Sequence, residues 1–138
     1  MPKLVRFTLP LPPSVNNQYV TVGNRRMLSK EAQAYKRQAG RLLAQFRRDD
    51  TIPASFVACA SGGYLALFID FYFETPLRRD LDGGLKIAQD VICKQLGIND
   101  NRVVDIHLVK RIDPLRPRIE VEMEALEDWQ FEDERRVL

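Results

Sequence analysis

A chain of 138 residues, 45% hydrophobic and 29% charged, has room for one compact globular domain and not for a multidomain enzyme. Its longest apolar run, Tyr64 to Phe73, is broken by Asp70 and is too short to cross a bilayer, so no membrane partner is expected. The net charge of +2 hides a division: Glu120 to Leu138 holds eight acidic and two basic residues, leaving 19 basic and 11 acidic before it, a body of +8 and an end of −6.

A basic body on so small a domain is the electrostatic footprint of a phosphate-bearing partner, although solvated lysines and arginines scattered at random give the same count. The opening Met-Pro-Lys-Leu-Val-Arg lacks the charged, apolar and small-residue succession of a signal peptide. Cys59 and Cys93 form neither a disulfide framework nor a metal-spaced pair. The expected compartment is the reducing cytoplasm.

Lys3 to Leu9 alternates as a short strand, and Pro10, Pro12 and Pro13 stop it in a rigid turn. After Ser14-Val15-Asn16-Asn17-Gln18-Tyr19, Gly23-Asn24 can join Tyr19–Val22 to Arg25–Leu28 as a hairpin. Ser29 is a natural N-cap for a helix whose stripe is Ala32, Tyr35, Ala39, Leu42 and Phe46. The other faces of that helix carry Lys30, Lys36, Arg37, Arg41, Arg47 and Arg48, a set that either grips phosphates or is its solvated side.

Asp49 to Gly63, with Pro53 and a glycine pair, reads as a loop. Tyr64 to Phe73, apolar on both alternating faces, predicts a central strand covered on two sides. A second helix carries Leu81, Leu85, Ala88, Ile92 and Leu96 on one face and stops at Gly97. Asn99-Asp100-Asn101 is a turn, Val103 to Lys110 a strand, and Asp113 to Pro117 a loop. Arg118 to Ala125 alternates, with Ile119, Val121, Met123 and Ala125 inward, and Glu127 onward is a short helix or a frayed tail. The predicted order is β, α, β, α, β, β.

The chemistry-bearing pattern lies around the second helix. At about 100 degrees per residue, Asp82, Lys86 and Cys93 share one flank, and Asp80 lies at or just before the first turn, where unpaired N–H groups favour negative charge. Asp100 follows the same helix. Convergent carboxylates without histidine or thiolate suit a hard cation such as Mg²⁺ or Mn²⁺, and such sites hydrolyse phosphodiesters. Lys86 would offset developing negative charge or position the attacking water. An Asp-x-Asp pair alone is equally a helix cap with a surface ion pair to Lys86.

Arg79-Asp80-Leu81-Asp82 with Lys86, Asp90, Asn99-Asp100 and Val103-Val104-Asp105 resembles the signature of the RusA family of Holliday junction resolvases. Leu9-Pro10-Leu11-Pro12-Pro13-Ser14-Val15-Asn16-Asn17-Gln18-Tyr19 is similar to that family's opening motif, and the resemblance runs from Phe7 to about Met123. It implies a homodimeric, Mg²⁺-dependent endonuclease, with Mn²⁺ as a possible substitute, that makes paired nicks in strands of like polarity at a four-way DNA junction. By the motif, Asp80, Asp82 and Asp100 are the metal-binding catalytic carboxylates and Lys86 the essential lysine. Asp90 and Asp105 match recurrent positions and are read as orienting or structural. Two departures stand out: Gly83-Gly84 follows Asp82 where the family usually has Asn first, and Asn99 replaces one carboxylate of an acidic pair.

Arg78 and Arg79 are the leading candidates for phosphate contacts beside the scissile bond, with an ion pair to Asp80 as the alternative. Asn16, Asn17 and Tyr19 either reach DNA or fix the turn after Pro13. Arg25, Arg26, Arg102, Lys110 and Arg111 are further candidates for the junction-binding surface. His107 reads as a strand surface residue and Cys93 as packing. The rival readings are a prophage junction-binding protein that has lost cleavage and a phosphohydrolase of small molecules. The expected architecture is a single α/β (α+β) domain over residues 1–126, a mixed sheet of about four strands packed by two main helices, with an acidic tail at 127–138.

Overall fold

The computed structural model of the chain describes residues 3–77 and 79–132. The first strand, β1 (Leu4–Pro10), buries Val5, Phe7 and Leu9 and turns Leu4, Arg6 and Thr8 outward, as its alternation requires. A hairpin follows, β2 (Tyr19–Val22) against β3 (Arg25–Leu28), and its turn places Gly23 at φ +63°, where an added side chain is strained. It forms a separate two-stranded sheet.

Helix α1 (Lys30–Arg48) begins where expected: the Ser29 hydroxyl accepts the Ala32 N–H at 3.0 Å. Its most buried line is Ala32, Tyr35, Ala39, Gly40 and Leu43, so the predicted Leu42 and Phe46 flank the contact and are only half-buried.

Two expectations are corrected in the middle of the chain. The stretch expected as a loop contains a helix, α2 (Ala54–Gly62), which buries Phe56 and Ala60. Proline at its N-terminal boundary is no obstacle, because the N–H it lacks would have no intrahelical partner there. The strand β4 (Tyr64–Phe73) is central as predicted, but only one face lies under helices. Leu65, Leu67, Ile69, Phe71 and Phe73 are buried, while Phe68, Asp70 and Tyr72 are half-exposed on the other face.

Helix α3 (Leu85–Leu96) starts four residues later than its apolar stripe suggested, since Leu81 to Gly84 is a turn. Gly97 ends it at φ +66°, in the left-handed conformation of a C-terminal cap. The chain returns as β5 (Val103–Ile112) and β6 (Arg118–Leu126). The four-stranded sheet has the order β1-β6-β4-β5; β4 and β5 run parallel and the other pairs antiparallel.

The result is a single α+β domain of three helices, a mixed four-stranded sheet and the hairpin. One apolar core joins the inward residues of the four strands to all three helices. The acidic end is partly sheet: Glu120, Glu122 and Glu124 alternate on the outer face of β6, where Arg6 pairs with Glu122 and Arg118 lies 3.5 Å from Glu120. Beyond Leu126 there is a turn and no helix through residue 132; the Phe131 ring meets the edge of Tyr64 at 5.2 Å. Among the described residues no helix is long and apolar enough to cross a membrane.

Candidate active site

The connection from β4 through α3 to β5 decides where the carboxylates lie. Because β4 and β5 are parallel, α3 must carry the chain back from the end of one strand to the start of the next. Asp80 and Asp82 precede α3 at the Phe73 end of the sheet, and Asp100 follows it at the Leu65 end, where Val103 pairs with Leu65. Twelve helical residues span roughly 18 Å. The three predicted ligands therefore do not meet within one protomer, and no three Asp, Glu, His or Cys side chains form a metal cluster among the described residues.

Each half has its own local logic. At the first, the Gly83 N–H donates to the Asp80 carbonyl at 3.2 Å and the Leu85 N–H to that of Asp82 at 3.1 Å, so both aspartates project from consecutive turns outside the helix. The flank expected for Asp82, Lys86 and Cys93 is corrected accordingly: Asp82 is not helical, and Cys93 is buried while Lys86 is exposed. At the second, Asn99 accepts the Asn101 N–H at 3.0 Å and caps the 3-10 turn Asp100–Arg102, giving this amide a structural task.

The Asp80–Asp82 turn is fastened to the proline turn that ends β1. Gln18, a residue no sequence argument singled out, is 4% exposed and donates through Nε2 to the carbonyls of Pro13 at 2.9 Å and Gly83 at 2.8 Å. A side chain at Gly84 would meet Pro12 carbons at 3.0 Å and the Phe71 ring at 3.3 Å, so the second glycine is needed for close packing at this point. Arg79 donates to the Pro12 carbonyl at 2.6 Å and lies over the Phe73 ring. Burial pulls its pKa below the usual value. Lys110 donates to the carbonyls of Pro76 at 3.0 Å and Arg79 at 2.8 Å. Two predicted DNA contacts thus brace the loop that carries Asp80; Arg78 lies outside the described residues.

The remaining candidates are spread out. Asn16 and Asn17 are exposed in a 3-10 turn, and the Asn17 carbonyl accepts the Ser29 hydroxyl at 2.6 Å. Arg25 and Arg26 stand on the hairpin, with Arg26 4.2 Å over Tyr19. Arg102 reaches the Gly63 carbonyl at 3.4 Å and covers Tyr64. Asp90 lies 3.6 Å from Lys86, and Asp105 pairs with His107 at 3.0 Å, while His107 stacks on Phe68. Arg111 pairs with Asp70 at 2.7 Å.

Asp100 and Asp90 border a cleft of about 570 Å³ between α1 and α3. Burial, with the negative charges of Asp100 and Asp90 adding to it, pushes the Cys93 thiol beside them up to about 11, which keeps it protonated and unreactive at neutral pH. Asp70, Asp90, Asp105 and Asp113 each have a cationic or histidine partner, whereas no described side chain pairs with Asp80, Asp82 or Asp100. Exposed carboxylates of this kind are oxygen donors suited in kind to a hard divalent cation. Asp80 and Asp82 lie before α3 and Asp100 after it.

No curated protein matches the chain in a sequence comparison. A family model described as Endodeoxyribonuclease RusA matches residues 10–124, a span that contains the proline turn, Gln18, both aspartates of the first half, Lys86 and Asp100. The chain belongs to the RusA family of endodeoxyribonucleases, enzymes that resolve Holliday junctions.

Proposed function

We propose that the chain resolves four-way DNA junctions by divalent-cation-dependent hydrolysis, acting as a homodimer that nicks two strands of like polarity. The observation that carries this reading is the set of three carboxylates, Asp80, Asp82 and Asp100, that no described side chain pairs with, held at the two ends of one crossover in a RusA-family chain. Asp80, Asp82 and Asp100 would hold Mg²⁺ or Mn²⁺, which supplies stabilisation of phosphate charge and a more acidic water. Lys86, exposed in the first turn of α3, would face the phosphate charge, and Asp90 would keep its ammonium oriented. The fastened turn holds the first two carboxylates in place before substrate arrives.

The separation of the two halves supports the dimer. Strand β5 ends the sheet order and exposes Ile106, Val109 and Ile112, an apolar edge suited to pairing with a second copy. Antiparallel pairing about a two-fold axis lays the Val103 end of one β5 against the Ile112 end of the other. That brings Asp100 of the partner subunit to the Asp80–Asp82 end of the first, twice over, and gives a two-fold junction two equivalent sites. Free Cys59 and Cys93 suit a reducing cytoplasm.

The test is to incubate the purified protein with a synthetic four-way junction and with a linear duplex, in Mg²⁺ and in Mn²⁺, beside Asp82→Asn. Symmetric nicks in the junction alone, abolished in the variant, are expected. Binding without cutting in either metal replaces the enzyme by a junction-binding protein, and indifference to junctions removes both readings.

A further inference from the structure

We infer that the groove between α1 and α3 is a track for the phosphodiester backbone of a junction arm, leading it to Asp100, and that Lys36, Arg37, Arg41 and Lys94 contact its phosphates. The inference rests on the nuclease reading above and adds a DNA-binding surface to it. Lys36, Arg37 and Arg41 belong to α1, whose charged faces the sequence leaves open between phosphate grip and solvated surface.

The structure separates these alternatives through Gly40. An added Cβ there would lie 3.1 Å from the side-chain amide nitrogen of Gln95, so the Gln95 side chain lies against α1 at this point, and the groove runs along the packed pair of helices. Two cavities, of about 570 and 310 Å³, share Lys36, Arg37 and Gln95 in their walls; Arg41 and Gly40 line the second, while Lys94 and Asp100 line the first. The four cations are therefore placed along one furrow that ends at a proposed metal ligand, rather than scattered over a helix surface.

Their lack of partners is the second observation. Arg6, Lys86, Arg111 and Arg118 are paired with carboxylates, and Arg79 and Lys110 are held by backbone carbonyls. Among the described residues no hydrogen bond or ion pair holds Lys36, Arg37, Arg41 or Lys94. Clustered cations without internal partners, in a concave path, are what a polyanionic chain neutralises on binding. Asp90 in the same wall is occupied by Lys86, and the charge of Asp100 is the one a cation would cover. A duplex arm fits better than a small phosphate, because the charges are spread along the groove instead of converging on one point.

The experiment measures binding of the full chain to a labelled four-way junction by fluorescence anisotropy, in EDTA, over a series of salt concentrations. It compares wild type, a triple variant carrying Lys36→Gln, Arg37→Gln and Arg41→Gln, and Arg6→Gln, which removes a charge from the opposite face of the sheet. Each lost phosphate contact lowers the slope of log affinity against log salt by about 0.9, so the triple variant should lose nearly three from that slope for each protomer engaged. Its affinity should fall by at least about tenfold at moderate salt, with unchanged far-UV circular dichroism, while Arg6→Gln keeps the wild-type slope. A triple variant whose slope and affinity match those of Arg6→Gln overturns the track and leaves the nuclease reading intact. A wild-type chain that does not bind the junction overturns both.

Discussion

The two ends of the β4-α3-β5 crossover carry the same chemistry in opposite mechanical settings. At the Phe73 end, the Asp80–Asp82 turn is tied down by Gln18, Arg79, Lys110 and the close packing of Gly84 on Pro12. At the Leu65 end, Asp100 stands exposed in a one-turn 3-10 helix beside an open cleft, fixed mainly by the Asn99 cap. The first arrangement fixes the turn that carries the two carboxylates through side-chain bonds to its backbone, as preorganisation of a site requires. The second is a surface that other molecules can approach. If the two ends belong to one metal site, that site is complete only when something joins them, and the two-fold copy of the chain proposed above would do so without any new element.

The largest effect expected from this division is in a mixing experiment. Asp82→Asn and Asp100→Asn should each be inactive alone. Co-refolded, they form heterodimers in which one composite site carries both lesions and the other carries neither. Nicking should then return to roughly a quarter of the wild-type level, as single nicks rather than paired ones. If each protomer held a whole site, every site in the mixture would carry a lesion and no activity would return.

Next in size is the loss of the Gln18 clamp. Gln18→Leu leaves the carbonyls of Pro13 and Gly83 without their donor in a buried place, a cost of about 2 kcal/mol or more. Urea unfolding should register that loss, and single-turnover cleavage at saturating metal should fall more than tenfold. Junction binding in EDTA, which does not need the aspartates held in place, should change little. Equal losses in all three measurements would make Gln18 a stability residue only.

Parts of this division were legible in the residues and parts were not. The strands β1 and β6 announce themselves by alternation, and α1 by its stripe and Ser29, because each buries one face against a single core. Helix α2 gives almost no periodic signal: it is nine residues long, mostly small, and follows a proline. The start of α3 is misplaced because Leu81 fits the stripe, while the preference of Gly83 and Gly84 for a turn weighs against it. Asp80, Asp82, Lys86 and Asp100 could be named from their motif, but their separation could not, since it depends on the parallel pairing of β4 with β5. Gln18 was invisible for a related reason, as both its acceptors are backbone carbonyls and one lies 65 residues away.

A smaller effect is expected from Gly84→Ala, which presses a methyl group to 3.0 Å from the rigid ring of Pro12. The proline turn or α3 must shift, at about 1–3 kcal/mol, with a matching drop in urea midpoint. An unchanged midpoint would show that the fastened end yields more easily than its packing implies.

The smallest is a pH effect at the same end. The Asp113 N–H donates to the Phe73 carbonyl at 2.8 Å, and its carboxylate accepts Arg118 at 2.8 Å and the N–H groups of Leu115 and Arg116 at 3.2 Å. The Arg118 hydrogen bond, above all, holds the Asp113 pKa below its ordinary 3.8. Because the folded value is the lower one, the unfolded chain binds the proton more readily, so the stabilisation is present above 3.8 and is lost as pH falls through the folded value. Asp113→Asn keeps an oxygen for the two backbone donors and removes both the charge and the oxygen that accepts from Arg118. The thermal midpoint of the wild type should exceed that of the variant slightly at neutral pH, and the gap should narrow as the pH is lowered beyond 3.8. A gap that stays constant across that range would mean that the loop closing this end of the sheet is held by its backbone bonds alone, with no contribution from the Arg118 ion pair.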